Sequence, residues 1–190
     1  MTGKTPMPRA LPALALLLVP VFSLAVAGCA TLPPAPLAPA PAKAVDAARF
    51  YSGVWREVAR RPESLTDGCV AGATEYTVID ETHVKVLDTC RVGTPAGALK
   101  DIGGTGTILD PGTNAKLHVG YRVFGIFTVG RDYWILDHGD DWFISTDPTF
   151  TRLYLYTRPD KDTPELRERL AARAKALGYD VSKLEYPAQP

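Results

Sequence analysis

The 190-residue sequence predicts an all-β protein, an eight-stranded up-and-down antiparallel β-barrel with one C-terminal α-helix packed outside it. Three observations carry this reading. Between Val54 and Arg158 the chain breaks into eight short runs that alternate apolar and polar residues or are rich in β-branched and aromatic side chains. Most of the connections are tight turns bearing Gly, Pro or Asp, too short for crossover helices, so consecutive strands pair antiparallel. A single helical pattern follows the last run. A barrel of this size has an interior that can hold one small ligand.

The first strand opens at Phe50-Tyr51-Ser52-Gly53-Val54-Trp55, after a helical turn over 45–50. Alternation puts Trp55, Glu57 and Ala59 on one face and Val54, Arg56 and Val58 on the other. Gly53 lets backbone come close at the strand's start, so that Trp55 can lie across the barrel end as its floor; an ordinary core tryptophan is the alternative. A loop over 61–68 leads to the second strand, 69–79, and Asp80-Glu81 turns it into the third, 82–90. Folding this hairpin about the centre of its turn brings Cys69 opposite Cys90. In an exported chain that pair defaults to a disulfide, with two free thiols as the alternative.

The fourth strand, 101–109, contains Gly103-Gly104-Thr105-Gly106. It lacks the Lys-Ser/Thr of a phosphate loop and runs into a turn rather than a helix, so these glycines relieve a sharply curved strand. Strands five to eight cover 116–124, 132–137, 142–146 and 152–158. The helix is capped by Asp162 or Thr163, carries Pro164 at its first position and stops at Gly178, with Leu166, Leu170, Ala174 and Leu177 as its apolar stripe. Its arginines read as a solvated face or as a contact for anionic lipid. A short strand over 179–186 ends the pattern.

The N-terminal part is an address. Residues 1–28 read as a lipoprotein signal peptide: Lys4 and Arg9 form a basic region, Leu11 to Val21 an apolar core, and Val26-Ala27-Gly28-Cys29 a small-residue site. Pro12, Pro20 and the short core argue against a retained transmembrane helix. The Val26-to-Cys29 ending resembles the bacterial lipobox, which makes Cys29 the lipidation site, and Ala30 after it favours the outer membrane by resemblance to known sorting rules. Residues 29–45 form a Pro/Ala-rich linker, in which fifteen residues of extended polyproline would span roughly 45 Å. The domain proper is 46–190. Beyond the leader the chain has 19 basic and 21 acidic residues and no basic cluster interleaved with aromatics, which excludes nucleic acid as a partner.

Gly53-Val54-Trp55 with Glu57-Val58-Ala59-Arg60, Tyr133-Trp134-Ile135-Leu136-Asp137, Leu155-Tyr156-Thr157-Arg158-Pro159, the helix, and Gly178-Tyr179-Asp180-Val181-Ser182-Lys183-Leu184 together resemble a lipocalin. The likeness is greatest to outer-membrane bacterial lipocalins and spans residues 46 to 187. His138-Gly139-Asp140 departs from the longer turn of many relatives. The resemblance implies that Arg158 covers Trp55 as a cation on an aromatic face at the closed end. It also implies a lipid-binding carrier, for fatty acids, lysophospholipids or similar amphiphiles. Strand alternation and the resemblance place Thr74, Tyr76, Val119, Tyr121, Tyr133, Ile135, Phe143 and Tyr154 at the ligand, with Leu117 and Tyr156 also inward; a barrel filled by its own side chains is the alternative. No cofactor and no metal are expected, since His83, His118 and His138 are scattered, and the chain reads as a monomer or weak dimer held at the membrane through Cys29. The reading is of a binding protein and not an enzyme. Two rival functions are an isomerase using a cavity thiol such as Cys69, and an envelope scaffold.

Overall fold

The computed structural model describes residues 1–3 and 37–190. The chain divides into two units, 1–34 and 35–190, and the fold described here is that of the second. Residues 4–28 of the leader, Cys29 and the first part of the linker lie outside the described residues.

The eight strands are β1 (Gly53–Arg60), β2 (Cys69–Val78), β3 (His83–Val92), β4 (Leu99–Ile108), β5 (Lys116–Val123), β6 (Phe127–His138), β7 (Trp142–Thr146) and β8 (Leu153–Thr157). Each pairs antiparallel with its sequence neighbours, and β8 returns to β1, so the sheet closes into a barrel. Closure removes the sheet edges that would otherwise invite pairing with another chain. A helical turn, α1 (Ala47–Phe50), leads across one end, and a longer helix, α2 (Pro164–Ala176), packs outside. Thr163 caps α2 by accepting from the Leu166 amide, while Leu166, Leu170 and Ala174 are its buried stripe.

Bulges decide which side chains enter the barrel. In β1, Glu57 faces Tyr156 of β8 and Ala59 faces Leu155, so Val58 is an extra residue. The parity of the strand then changes. Ala59, expected inside, packs with Val58, Leu155 and the α2 residues Leu166 and Leu170 in the outer core, and Arg60 turns inward in its place. In β2 a second bulge lies between Val70 and Ala73, with Ala71 at φ +51°. A third in β6 lies between Ile135 and Asp137, with Leu136 in the outer core where alternation from Ile135 already puts it.

Two elements differ most from the sequence reading. β6 begins at Phe127 and not Asp132, because a tight Phe124-Gly125-Ile126 connection lets Val123 pair with Phe127. The expected last strand over 179–186 is instead a 3-10 turn, Val181–Lys183, followed by one bridge between Arg60 and Glu185. β1 pairs with β2 only from Gly53 to Arg56, and the C-terminal tail fills the seam that opens above: Ala71 N–H donates to Ala188 O and the Gln189 side-chain amide donates to Glu57 O. The described end of the linker lies against the barrel, with Ala38 N–H bonded to Pro148 O and both Ala38 and Val45 buried.

The glycines of β4 mark close approach. A Cβ on Gly104 would lie 2.8 Å from Gly120 O, and one on Gly106 2.8 Å from a Val84 methyl. No phosphate loop is present there; β4 runs unbroken from Leu99 to Ile108.

Candidate ligand-binding site

One end of the barrel is sealed. The Trp55 ring is 1% exposed, donates through its indole N–H to Phe50 O, and packs against Phe50 and Phe143. The Arg158 guanidinium lies 3.5 Å from the ring centroid and donates to Ser52 O and Val54 O, tying the entry of β1 to the exit of β8. Gly53 sits beneath it at φ +69°, a conformation that L side chains rarely adopt. Above this floor, Val84, Leu117, Val119 and Ile135 fill the closed half.

The other half holds a cavity of about 210 Å³, with Leu65, Thr66, Lys100 and Asp101 at its rim. Of the eight residues expected at a ligand, Thr74, Tyr76, Tyr121, Tyr133, Phe143 and Tyr154 line it. Val119 and Ile135 do not. They face inward as alternation requires but lie deeper, in the packed core. Tyr156 and Glu57 join the lining, whereas Leu117 belongs to the core.

Cys69 and Cys90 are joined in a disulfide at the rim, across a Cα separation of 5.5 Å. The backbone partner of Cys69 is nevertheless Val92, not Cys90: a hairpin folded about the middle of Asp80-Glu81 pairs position 69 with 92, and the half-residue by which the turn is centred later, on Glu81, is cancelled by the β2 bulge. The bond therefore runs diagonally.

Charged residues that the sequence reading did not place in the site line it as well. Arg60 reaches in because of the β1 bulge and donates to Glu57 at 2.6 Å and to Cys69 O at 2.7 Å, while its Nε lies 2.7 Å from Glu185. Burial pushes the Glu57 carboxyl up to about 7, against the opposing pull of Arg60. Arg131, on β6 before the expected start of that strand at 132, donates to both oxygens of Glu63 at 3.1 Å. Tyr154 and Arg152 complete the set around Glu63, which belongs to the connection between β1 and β2. Burial raises the Glu63 pKa, but these hydrogen bonds and charges outweigh it and hold the carboxylate below its ordinary range.

Asp88 lies halfway along β3, on the inward face shared by Val84 and Val86. It accepts from Thr74 Oγ1 at 2.7 Å and from Tyr121 OH at 2.6 Å, and Tyr121 OH is 3.0 Å from Tyr133 OH. Burial raises its pKa, with the two hydroxyl donors offsetting part of the rise. The same burial, reinforced by the Asp88 charge, pushes the Tyr121 and Tyr133 phenols well above their ordinary range, so both stay protonated as hydrogen-bond donors. The signal for Asp88 was its two-residue spacing from Val84 and Val86, visible only once the hairpin register is known. Among the described residues no group of His, Cys, Asp and Glu is arranged to hold a metal ion.

Residues 45–189 match the lipocalin-like domain family over more than half of the chain. The chain belongs to the lipocalin-like family. A mimivirus protein named as a lipocalin, from Acanthamoeba polyphaga mimivirus, is 28% identical over 141 residues, covering 70% of this chain and 79% of that protein. Among solved structures, insecticyanin from the tobacco hornworm Manduca sexta superposes with a TM-score of 0.66 at 16% identity, covering 82% of this chain and 87% of its own. The amine-binding protein of Rhodnius prolixus, solved as its tryptamine complex, gives 0.60 at 13% identity, covering 77% of this chain and 82% of its own. At these identities the solved structures bear on the fold, a closed eight-stranded antiparallel barrel with a C-terminal helix. Small-molecule binding or transport is the activity that goes with this family and fold.

Proposed function

We propose that this lipocalin is a lipid-anchored carrier of amphiphiles such as fatty acids or lysophospholipids at a bacterial outer membrane, acting by binding and not by turnover. The observation that carries the binding part is the cavity itself, walled by Tyr76, Tyr133, Phe143 and Tyr156 in the half of the barrel away from the sealed end. Such a lining draws affinity from apolar contact area and orientation from a few polar groups, here Thr74, Asp88 and the tyrosine hydroxyls. The anchoring part is supported by the Val26-Ala27-Gly28-Cys29 sequence and the proline-rich stretch after it. The rival thiol chemistry is disfavoured because the Cys69–Cys90 bond occupies both cysteines near the cavity.

Native mass spectrometry of the full chain, purified in mild detergent from membranes and then extracted with organic solvent, tests both parts. A co-purified amphiphile in stoichiometric amount and a diacylglyceryl mass on Cys29 are expected. A preparation free of any bound small molecule, which also fails to take up added palmitate or lysophospholipid, would overturn the carrier reading, and an unmodified Cys29 would overturn the anchor.

A further inference from the structure

The charges inside the barrel do not balance, and the imbalance falls on one residue. Glu57 is paired with Arg60, and Glu63 with Arg131 and Arg152. Arg60 is shared further with Glu185. Asp88 has no Lys, Arg or His within ion-pairing distance among the described residues; its partners are the hydroxyls of Thr74 and Tyr121. Arg131, whose positive field reaches Asp88, is committed to Glu63 by two 3.1 Å contacts. A carboxylate withdrawn from water without a counter-ion is costly, and the cost is removed either by a proton or by a cation.

The cavity is shaped to receive the second. Asp88 lines it, and so do the rings of Tyr76, Tyr133, Phe143 and Tyr156, whose faces attract positive charge. A further group is unmatched: Ser145 Oγ, on a residue 2% exposed that lines the same cavity, has no hydrogen-bond partner. A buried hydroxyl with unused capacity, lining the same cavity as a carboxylate that lacks a cation, suits an N–H-bearing head group.

We propose that the cavity selects small amphiphiles carrying a positively charged nitrogen, with the cation seated against Asp88 and the apolar body between the aromatic walls. The selection rests on the carrier reading above and narrows it: ammonium-bearing ligands are favoured, and free fatty acids, whose carboxylate would face Asp88, are disfavoured. The raised pKa of Asp88 agrees, because the environment that disfavours its bare anion is the one in which a bound cation gains most.

Isothermal titration of the purified full chain at neutral pH with three ligands of one shape tests this: 2-phenylethylammonium, 2-phenylethanol and 3-phenylpropionate, with palmitate as a fourth. The ammonium ion is expected to bind about tenfold or more tighter than the alcohol, with the carboxylate weakest. Asp88→Asn, which keeps a hydrogen-bonding side chain of the same size beside Thr74 and Tyr121, is expected to abolish that preference, bringing the ammonium ion to within about threefold of the alcohol. Equal binding of the three, or a preference for either carboxylate, would overturn the cation selection and leave the carrier reading standing. So would binding of palmitate alone. Binding of none of the four would overturn the selection and count against the carrier reading too. Should Asp88→Asn not fold, the ranking of the ligands on the wild-type chain decides by itself.

Discussion

Glu57 shows how a single residue is set by the strand that carries it. The β1 bulge turns Arg60 inward three residues on, so that one buried guanidinium meets Glu57 at 2.6 Å and also holds Cys69 O. Burial still wins over this partner and lifts the Glu57 carboxyl from 4.5 to about 7. Between these two values the folded chain holds a proton that the unfolded chain has released. The Glu57 contribution to stability is therefore present in full below about pH 4.5, falls as pH rises, and levels off above about pH 7. The fall is on the order of 3 kcal/mol, at 1.36 kcal/mol for each unit by which the folded and unfolded pKa values differ. Glu57→Gln carries no such proton. Urea midpoints for the variant, measured across this window, are expected to fall less with pH than those of the wild type; parallel curves would show that Glu57 does not titrate there.

At the scale of elements, the C-terminal tail is the least expected part. It closes a seam no turn could close, because β1 leaves β2 after Arg56 and exposes the N–H groups of Arg60 and Ala71. Glu185 O and Ala188 O accept from them, and the Glu185 side chain pairs with Arg60. Removing residues 185–190 strands these donors and half of the Arg60 ion pair. A loss of about 2 to 4 kcal/mol in unfolding free energy is expected, since each orphaned buried group costs about 1 to 3 kcal/mol. Faster hydrogen exchange at the Ala71 and Arg60 amides should accompany it, and unchanged exchange would mean the tail does not close the seam. The apolar spacing of the tail predicts a strand, and of its apolar residues Tyr179, Val181 and Leu184 pack against the outer core while Tyr186 is exposed. What sequence could not show is that β1 pairs with β2 only as far as Arg56 and with β8 only from Arg56 on, which leaves one side of its second half for the tail to cover by a single bridge. The eight strands and α2 were legible because their periods are local: alternation in β5, and the capped Leu166, Leu170 and Ala174 stripe in α2. Bulges are not local in that sense. The β1 bulge turns Ala59 out and Arg60 in against simple alternation, whereas the aromatic wall, which depends on parity over short stretches, follows it.

For the whole molecule, the two ends of the barrel do different work, and substitutions at each should separate accordingly. The floor serves folding: Trp55 is enclosed by Phe50, Phe143 and Arg158, and of these residues only Phe143 lines the cavity. The rim is held by the Cys69–Cys90 bond and by an acidic residue. Glu63 gathers Arg131 of β6, Tyr154 of β8 and Arg152 of the β7–β8 connection, and so ties the connection between β1 and β2 over the mouth. These side chains are partly exposed, so their ion pairs add little to global stability. Trp55→Ala is accordingly expected to cost about 3 to 5 kcal/mol, the usual toll of emptying a buried aromatic site, while leaving the binding constant of the remaining folded protein nearly unchanged. Glu63→Gln removes the charge that three partners share, and is expected to change unfolding free energy by no more than about 1 kcal/mol. It should instead speed both entry and exit of a lipophilic fluorophore such as N-phenyl-1-naphthylamine, several-fold each, with a much smaller change in their ratio, because loosening the rim lowers one barrier crossed in both directions. Stopped-flow fluorescence on the two variants, paired with urea unfolding, measures all four quantities. If Glu63→Gln left both rates untouched, the connection between β1 and β2 would be a fixed wall and the ligand would enter elsewhere along the rim, with the exposed Phe124-Gly125-Ile126 connection opposite as the next place to substitute.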